Sequence, residues 1–212
     1  MLERQSSGRI FSRHVEKLVL IITSICAIIF VDSAYALEWT GNIHVKYGCK
    51  HFAENWEQVN KHEAYGVEID LKYGGMPFSI ILEYLKSEGN GVDSVVSDHG
   101  HMSWKYDVKV KTEEYNLGVR KTWEIPHSLH PYINGGMSFI SARGAFVFLN
   151  SYLTEIDDCG IGAWFGGGMY YKFKEHYNVG MDVKVTSAGI DHQDKDLNAG
   201  GSHMALSLGY HF

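Results

Sequence analysis

From residue 39 onward the apolar residues of this chain recur at every second position, not every third or fourth. That period belongs to strands, whose successive side chains point to opposite faces of a pleated surface. Trp39, Ile43, Val45 and Tyr47 alternate with Thr40, Asn42, His44 and Lys46. Tyr65, Val67, Ile69, Leu71 and Tyr73 alternate with Gly66, Glu68, Asp70 and Lys72. Comparable runs occupy 78–84, 115–123, 133–139, 161–173, 177–185 and 204–212. Eight strands are predicted.

Nearly every apolar face ends in Tyr, Trp or Phe, while the opposite faces carry both charge signs together with Gly, Ser and Asn. A lipid-facing barrel wall has this arrangement, with aromatic girdles outside and a polar interior. Closure into a barrel also removes sheet edges, whose unpaired backbone groups cost several kcal/mol each in lipid. Short connections at 74–77, 124–130 and 174–176 alternate with long ones at about 52–62, 88–106, 142–158 and 189–200. Short periplasmic turns and long outer loops are expected of outer-membrane barrels. The three prolines, Pro77, Pro126 and Pro131, sit in or beside the short turns, where a missing N–H does not break a ladder. The expected fold is an all-β, eight-stranded antiparallel transmembrane barrel over 37–212.

Residues 1–36 have a different pattern. Arg4, Arg9, Arg13 and Lys17 precede an apolar stretch at 18–31, and Ala34-Tyr35-Ala36 supplies small residues at the −3 and −1 positions of a cleavage site. The stretch is shorter than the roughly 20 residues of a spanning helix. A cleaved signal peptide is expected, and export to the outer membrane of a Gram-negative cell with it. The whole chain has 212 residues, 19 Lys and Arg against 25 Asp and Glu, and a formal charge of −6. That balance argues against nucleic acid as a partner, which requires a clustered basic surface.

The last segment places Leu206, Leu208, Tyr210 and a final Phe212 at alternate positions. It resembles the C-terminal signal by which the barrel-assembly machinery recognises outer-membrane proteins. Pro131-Tyr132-Ile133-Asn134-Gly135-Gly136 and Gly166-Gly167-Gly168-Met169-Tyr170-Tyr171 are similar to segments of the small eight-stranded OmpA/OmpX/opacity-like barrels. The resemblance implies outer-membrane lipid and lipopolysaccharide as surroundings. It is specific for fold and location and does not transfer a function.

Strand parity turns Lys46, Glu68, Asp70, Lys72, Glu83, Glu114, Arg120, Asp182 and Lys184 toward the lumen, with His44 beside them. An eight-stranded interior is just wide enough to be filled by side chains, so an ion-pair network is expected there in preference to a solute path. The lipid A deacylase branch of the family would need a histidine two positions before its serine. The matching stretch here is Lys184-Val185-Thr186-Ser187-Ala188-Gly189, with Val185 in that place, and a serine without a base is a poor nucleophile.

Asp98-His99-Gly100-His101, and His192 with Asp191 and Asp194, are weak metal-ligand patterns with no spacing that fixes further ligands. No metal or cofactor is expected. Cys49 and Cys159 either form a bridge through a folded-over loop or stay separate thiols. The apolar run 145–149 reads as strand extension beyond the membrane. The expected role is structural or surface-interaction through the outer loops and not enzymatic. A small pore is the alternative, with lipid A modification third.

Overall fold

The computed structural model describes residues 39–52, 61–96, 103–126, 128–148, 151–192 and 195–212. The expected signal peptide at 1–36 and the His99/His101 pair lie outside them. The strands are β1 (Trp39–Phe52), β2 (Lys61–Tyr73), β3 (Ser79–Val96), β4 (Ser103–Thr122), β5 (Leu129–Phe148), β6 (Ser151–Phe173), β7 (Tyr177–His192), β8 (Lys195–Asn198) and β9 (Gly201–His211). Neighbours in the chain are neighbours in the sheet from β1 to β7. β7 pairs with β9, and β9 pairs with β1, which closes the ring.

Nine segments make eight wall strands. β8 and β9 face β7 in one continuous register, Gly189 opposite Asn198 and Thr186 opposite Gly201. They are two stretches of one strand, interrupted at Ala199-Gly200. There the Asn198 Oδ1 accepts hydrogen bonds from the Ala188 and Gly200 N–H groups, at 3.1 and 2.9 Å, and so replaces missing ladder bonds. At the opposite end the seam is tied by Phe212, whose N–H donates to the Gly41 carbonyl at 3.0 Å and whose carbonyl accepts from the Gly41 N–H at 3.1 Å.

The faces follow the parity of the sequence. Val45, Val119, Phe165, Val185, Leu206 and Leu208 point outward, Leu206 with 66% of its surface exposed, while Arg120 inside keeps 1%. A water-soluble protein would have these reversed, because charge is costly to bury and apolar patches this continuous do not survive in water. An apolar outer band and a charged interior suit lipid outside the wall.

Four strands run much further than the hydrophobic alternation indicates. β3 and β4 stay paired from Ser79 opposite Arg120 to Val96 opposite Ser103, and β5 and β6 stay paired to Phe148 opposite Ser151. The expected long loops at 88–106 and 142–158 are therefore mostly sheet, and the run at 145–148 is strand as its composition indicates. A bulge between Phe146 and Val147 bends this end.

Candidate functional site in the barrel lumen

Inward side chains from all parts of the wall meet in layers. Near the short-turn end the Asn42 amide donates to both Asp70 oxygens at 3.1 Å. Arg120 donates to Asp70 Oδ2 at 2.9 Å and to Glu68 Oε1 at 2.6 Å, bracing two carboxylates of β2 from β4. The Tyr132 ring supports the guanidinium from below, with its centre 4.0 Å from Cζ. Tyr132 and Tyr170, both buried, narrow this mouth, and His130 stacks on Tyr170 at 4.9 Å.

Lys46 occupies the middle. Its Nζ donates to Glu68 at 2.8 Å, Glu83 at 2.8 Å and Asp182 at 2.9 Å, so one ammonium spends its three protons on carboxylates from β2, β3 and β7. Lys184 donates to Glu83 at 2.6 Å, and Asn116 donates to the same carboxylate at 2.8 Å. A cavity of about 10 Å³ borders Lys46, Glu83, Asp182 and His203. It has room for about one water.

Above it Lys50 donates to Glu114 at 2.6 Å and to the Ala199 carbonyl at 3.0 Å. Phe52, Val108, Val110, Ile140, Ala142, Ala188 and Ala199 then form an apolar cluster across the loop-side half of the lumen. Water that passed the charged layers would meet a dry one.

Of the residues expected in the lumen, Lys46, Glu68, Asp70, Glu83, Glu114, Arg120, Asp182 and Lys184 are brought together and buried. Lys72 is not. It lies half-exposed at the turn end of β2, one layer below Asp70, where water reaches it, and makes no ion pair with these acids among the described residues. Lys50 and His203 belong to the set although the alternation did not single them out. Cys49 and Cys159 stand on β1 and β6 and are not bridged to each other. Ser187 stands exposed on the outer face, and the side chains of Asp191, His192 and Asp194 lie outside the described residues.

His44, Glu68 and Asp70 bring donor atoms within 4.8 Å of one another. Arg120 and Lys46 already hold these carboxylates, so a divalent ion would face two fixed cations, and the trio does not fit a metal.

Glycines make the packing possible. Trp164 points into the lumen from β6 and donates Nε1–H to the Met137 carbonyl at 3.0 Å. A Cβ on Gly118 would stand 2.6 Å from its ring.

No protein family matches the sequence, and no curated protein does. Solved structures match the fold. A major outer membrane protein from Thermus thermophilus is similar with a TM-score of 0.58 at 12% identity, over 82% of this chain and 99% of that one. The fold is that of the small outer-membrane barrels. Ail, the attachment invasion locus protein of Yersinia pestis, is similar with a TM-score of 0.52 at 7% identity, over 84% of this chain and 100% of that one. A second structure of Ail, bound to the heparin analogue sucrose octasulfate, is similar with a TM-score of 0.51 at 9% identity, over 84% of this chain and 100% of that one. Identities this low speak for the fold alone.

Proposed function

We propose that the chain is an outer-membrane surface protein, exported by its leader and delivered by its C-terminal signal to the barrel-assembly machinery. Its barrel is a plugged anchor set in outer-membrane lipid and lipopolysaccharide, and its working surface is the sheet that β3 to β6 carry beyond the lipid. The observation that bears most on this reading is the unequal height of the wall. β2 meets β3 only as far as Glu63 opposite Glu88, and β7 meets β6 only as far as Ile161 opposite Gly189. Beyond those pairs β3 and β6 each keep one ladder partner among the described residues. At about 3.3 Å per residue the excess amounts to some 30 Å of strand.

Two strand edges that keep one ladder partner each among the described residues suit an extended segment of another chain. A role in surface contact follows more readily than catalysis, since the lumen carboxylates are held in ion pairs. A small pore is the second reading, and the filled lumen and its apolar seal count against it.

The test is topological. Cysteines placed at Asn90 or Asn198, in a chain lacking Cys49 and Cys159, react with an impermeant maleimide on intact cells, and one at Gly75 does not. Labelling at Gly75 alone would turn the barrel over and put the projecting sheet in the periplasm, which defeats a surface role.

A further inference from the structure

On the outer wall at the loop side, rows of side chains run across β3, β4 and β5. Tyr84 stands opposite Tyr115 and Tyr115 opposite Phe139, with the two tyrosine rings 5.2 Å apart, and this row ends the lipid-facing band. Lys86, Glu113 and Ser141 make the next row, and Glu88, Lys111 and Arg143 the one after it. Thr112 and Ala142 beside them are buried in the lumen, so parity turns Lys111 and Arg143 outward. Lys109 follows on the same face of β4 and is exposed.

Lys111 and Arg143 are directly opposite each other. Their Cβ atoms are therefore about 5 Å apart, and like charges so placed destabilise a sheet. The acids of these rows do not remove the conflict. Glu88 is engaged by Lys86 at 2.7 Å and reaches Lys111 only at 3.8 Å, while Glu113 stands 3.6 Å from Lys111. Arg143 has contacts of its own, and its five N–H donors leave room for more. Lys86, Lys109, Lys111 and Arg143 face two carboxylates on these strands, Glu88 and Glu113. The patch is positive.

Its height selects the ligand. Four residues separate Tyr115 from Lys111, about 13 Å of strand and about 10 Å along the membrane normal at a tilt near 40°. The polar layer of one leaflet is about 5–8 Å deep, and lysine and arginine stems span the difference. A convex wall gives a free anion no enclosure, whereas a lipid phosphate is held at this height by its own acyl chains beside the aromatic row. A phosphate monoester carries close to two negative charges, which two opposed cations match; a diester carries one.

We propose that Lys111 and Arg143, with Lys109 above them, seat the phosphate monoester of a lipid in the surrounding leaflet. The seat deepens the outer-membrane reading above and rests on it.

The experiment titrates bisphosphorylated lipid A into the labelled full chain in uncharged micelles and follows the backbone amides of 109–113 and 141–144 by nitrogen–proton correlation spectra. Saturable shifts centred on those amides are expected. Affinity should fall about fivefold in Lys111→Gln and about 25-fold when Arg143→Gln is added, and stay near the parent's in Lys111→Arg. Faster gel migration without heating reports that each variant folds, and the single variant decides should the double one fail. Unchanged affinity in Lys111→Gln would overturn the seat. So would equal shifts with dephosphorylated lipid A, which needs no phosphate, or with inorganic phosphate at the same concentration, which needs no lipid. Tighter binding of sucrose octasulfate than of lipid A would assign the patch to a sulfated sugar instead. Maleimide labelling keeps the two readings apart, because micelles do not fix which way the barrel stands. A barrel that binds lipid A yet labels at Gly75 alone defeats the surface reading alone, and one that labels at Asn90 and ignores the phosphates defeats the seat alone.

Discussion

The guanidinium of Arg120 lies on the face of Tyr132, 4.0 Å from the ring centre, with its far edge on Glu68 and Asp70. A planar cation is held between a ring and two acids, and neither element alone would fix it. The aromatic ring excludes water from one face while the carboxylates use the fork of N–H donors.

Arg120→Ala therefore removes more than one contact. Asp70 loses its ion pair and Glu68 keeps only Lys46 and His44, so destabilisation of about 3–5 kcal/mol is expected in urea unfolding of the folded barrel. Replacing Asp70 by Asn in the same chain recovers part of the loss. An Arg120→Ala barrel as resistant to urea as the parent would show that the pair contributes nothing.

Arg120, Glu114 and Glu83 were legible because strand parity places them opposite Leu117, Tyr115 and Leu82. Lys50 shares the parity of Lys46, but the apolar alternation lapses at Gly48-Cys49 and gives no reason to continue the strand. The upper halves of β3 to β6 lack a strand signature in the sequence for a related reason. Lys105, Lys109, Lys111 and Glu113 alternate with Val108 and Val110 beyond the lipid, where neither face needs to be apolar, and backbone pairing carries the strands. Parity alone sets Trp164 with Gly162 and Gly166 on the inward side of β6. Its accommodation depends on Gly118, which is remote in sequence and adjacent only once the barrel has closed.

That dependence can be measured. A methyl at Gly118 would meet the Trp164 ring at 2.6 Å and the Gly135 carbonyl still more closely. Gly118→Ala is expected to cost about 1–3 kcal/mol through overpacking. Trp164→Phe in the same chain should return part of it, and additive losses in the double variant would show that the two positions do not communicate.

The β6–β7 turn holds strain that its sequence does not require. Lys174 and Glu175 have φ of 48° and 63°, a left-handed pair that hairpins ordinarily fill with Asn and Gly. Changing Lys174 to Asn and Glu175 to Gly should stabilise the barrel by about 1 kcal/mol, seen as a higher urea midpoint. An unchanged or lower midpoint would mean that the present pair is held by contacts worth as much as the strain.

Conduction would have to breach two barriers of different kinds in series. The charged layers around Lys46 are closed by direct ion pairs at 2.8–2.9 Å, and the cluster of Phe52, Val108, Ile140 and their neighbours is closed by apolar packing. Opening one leaves the other. Wild-type protein in a planar bilayer is therefore expected to give no steady ohmic steps, and so is Phe52→Ala with Ile140→Ala, which thins the apolar layer alone. Lys46→Ala added to that pair frees Glu68, Glu83 and Asp182 from their shared partner and lets water in, so small cation-selective currents should appear only in the triple variant. Steady current through the wild-type barrel would overturn the plug. Current through the apolar double variant would show that the ion pairs contribute no barrier of their own.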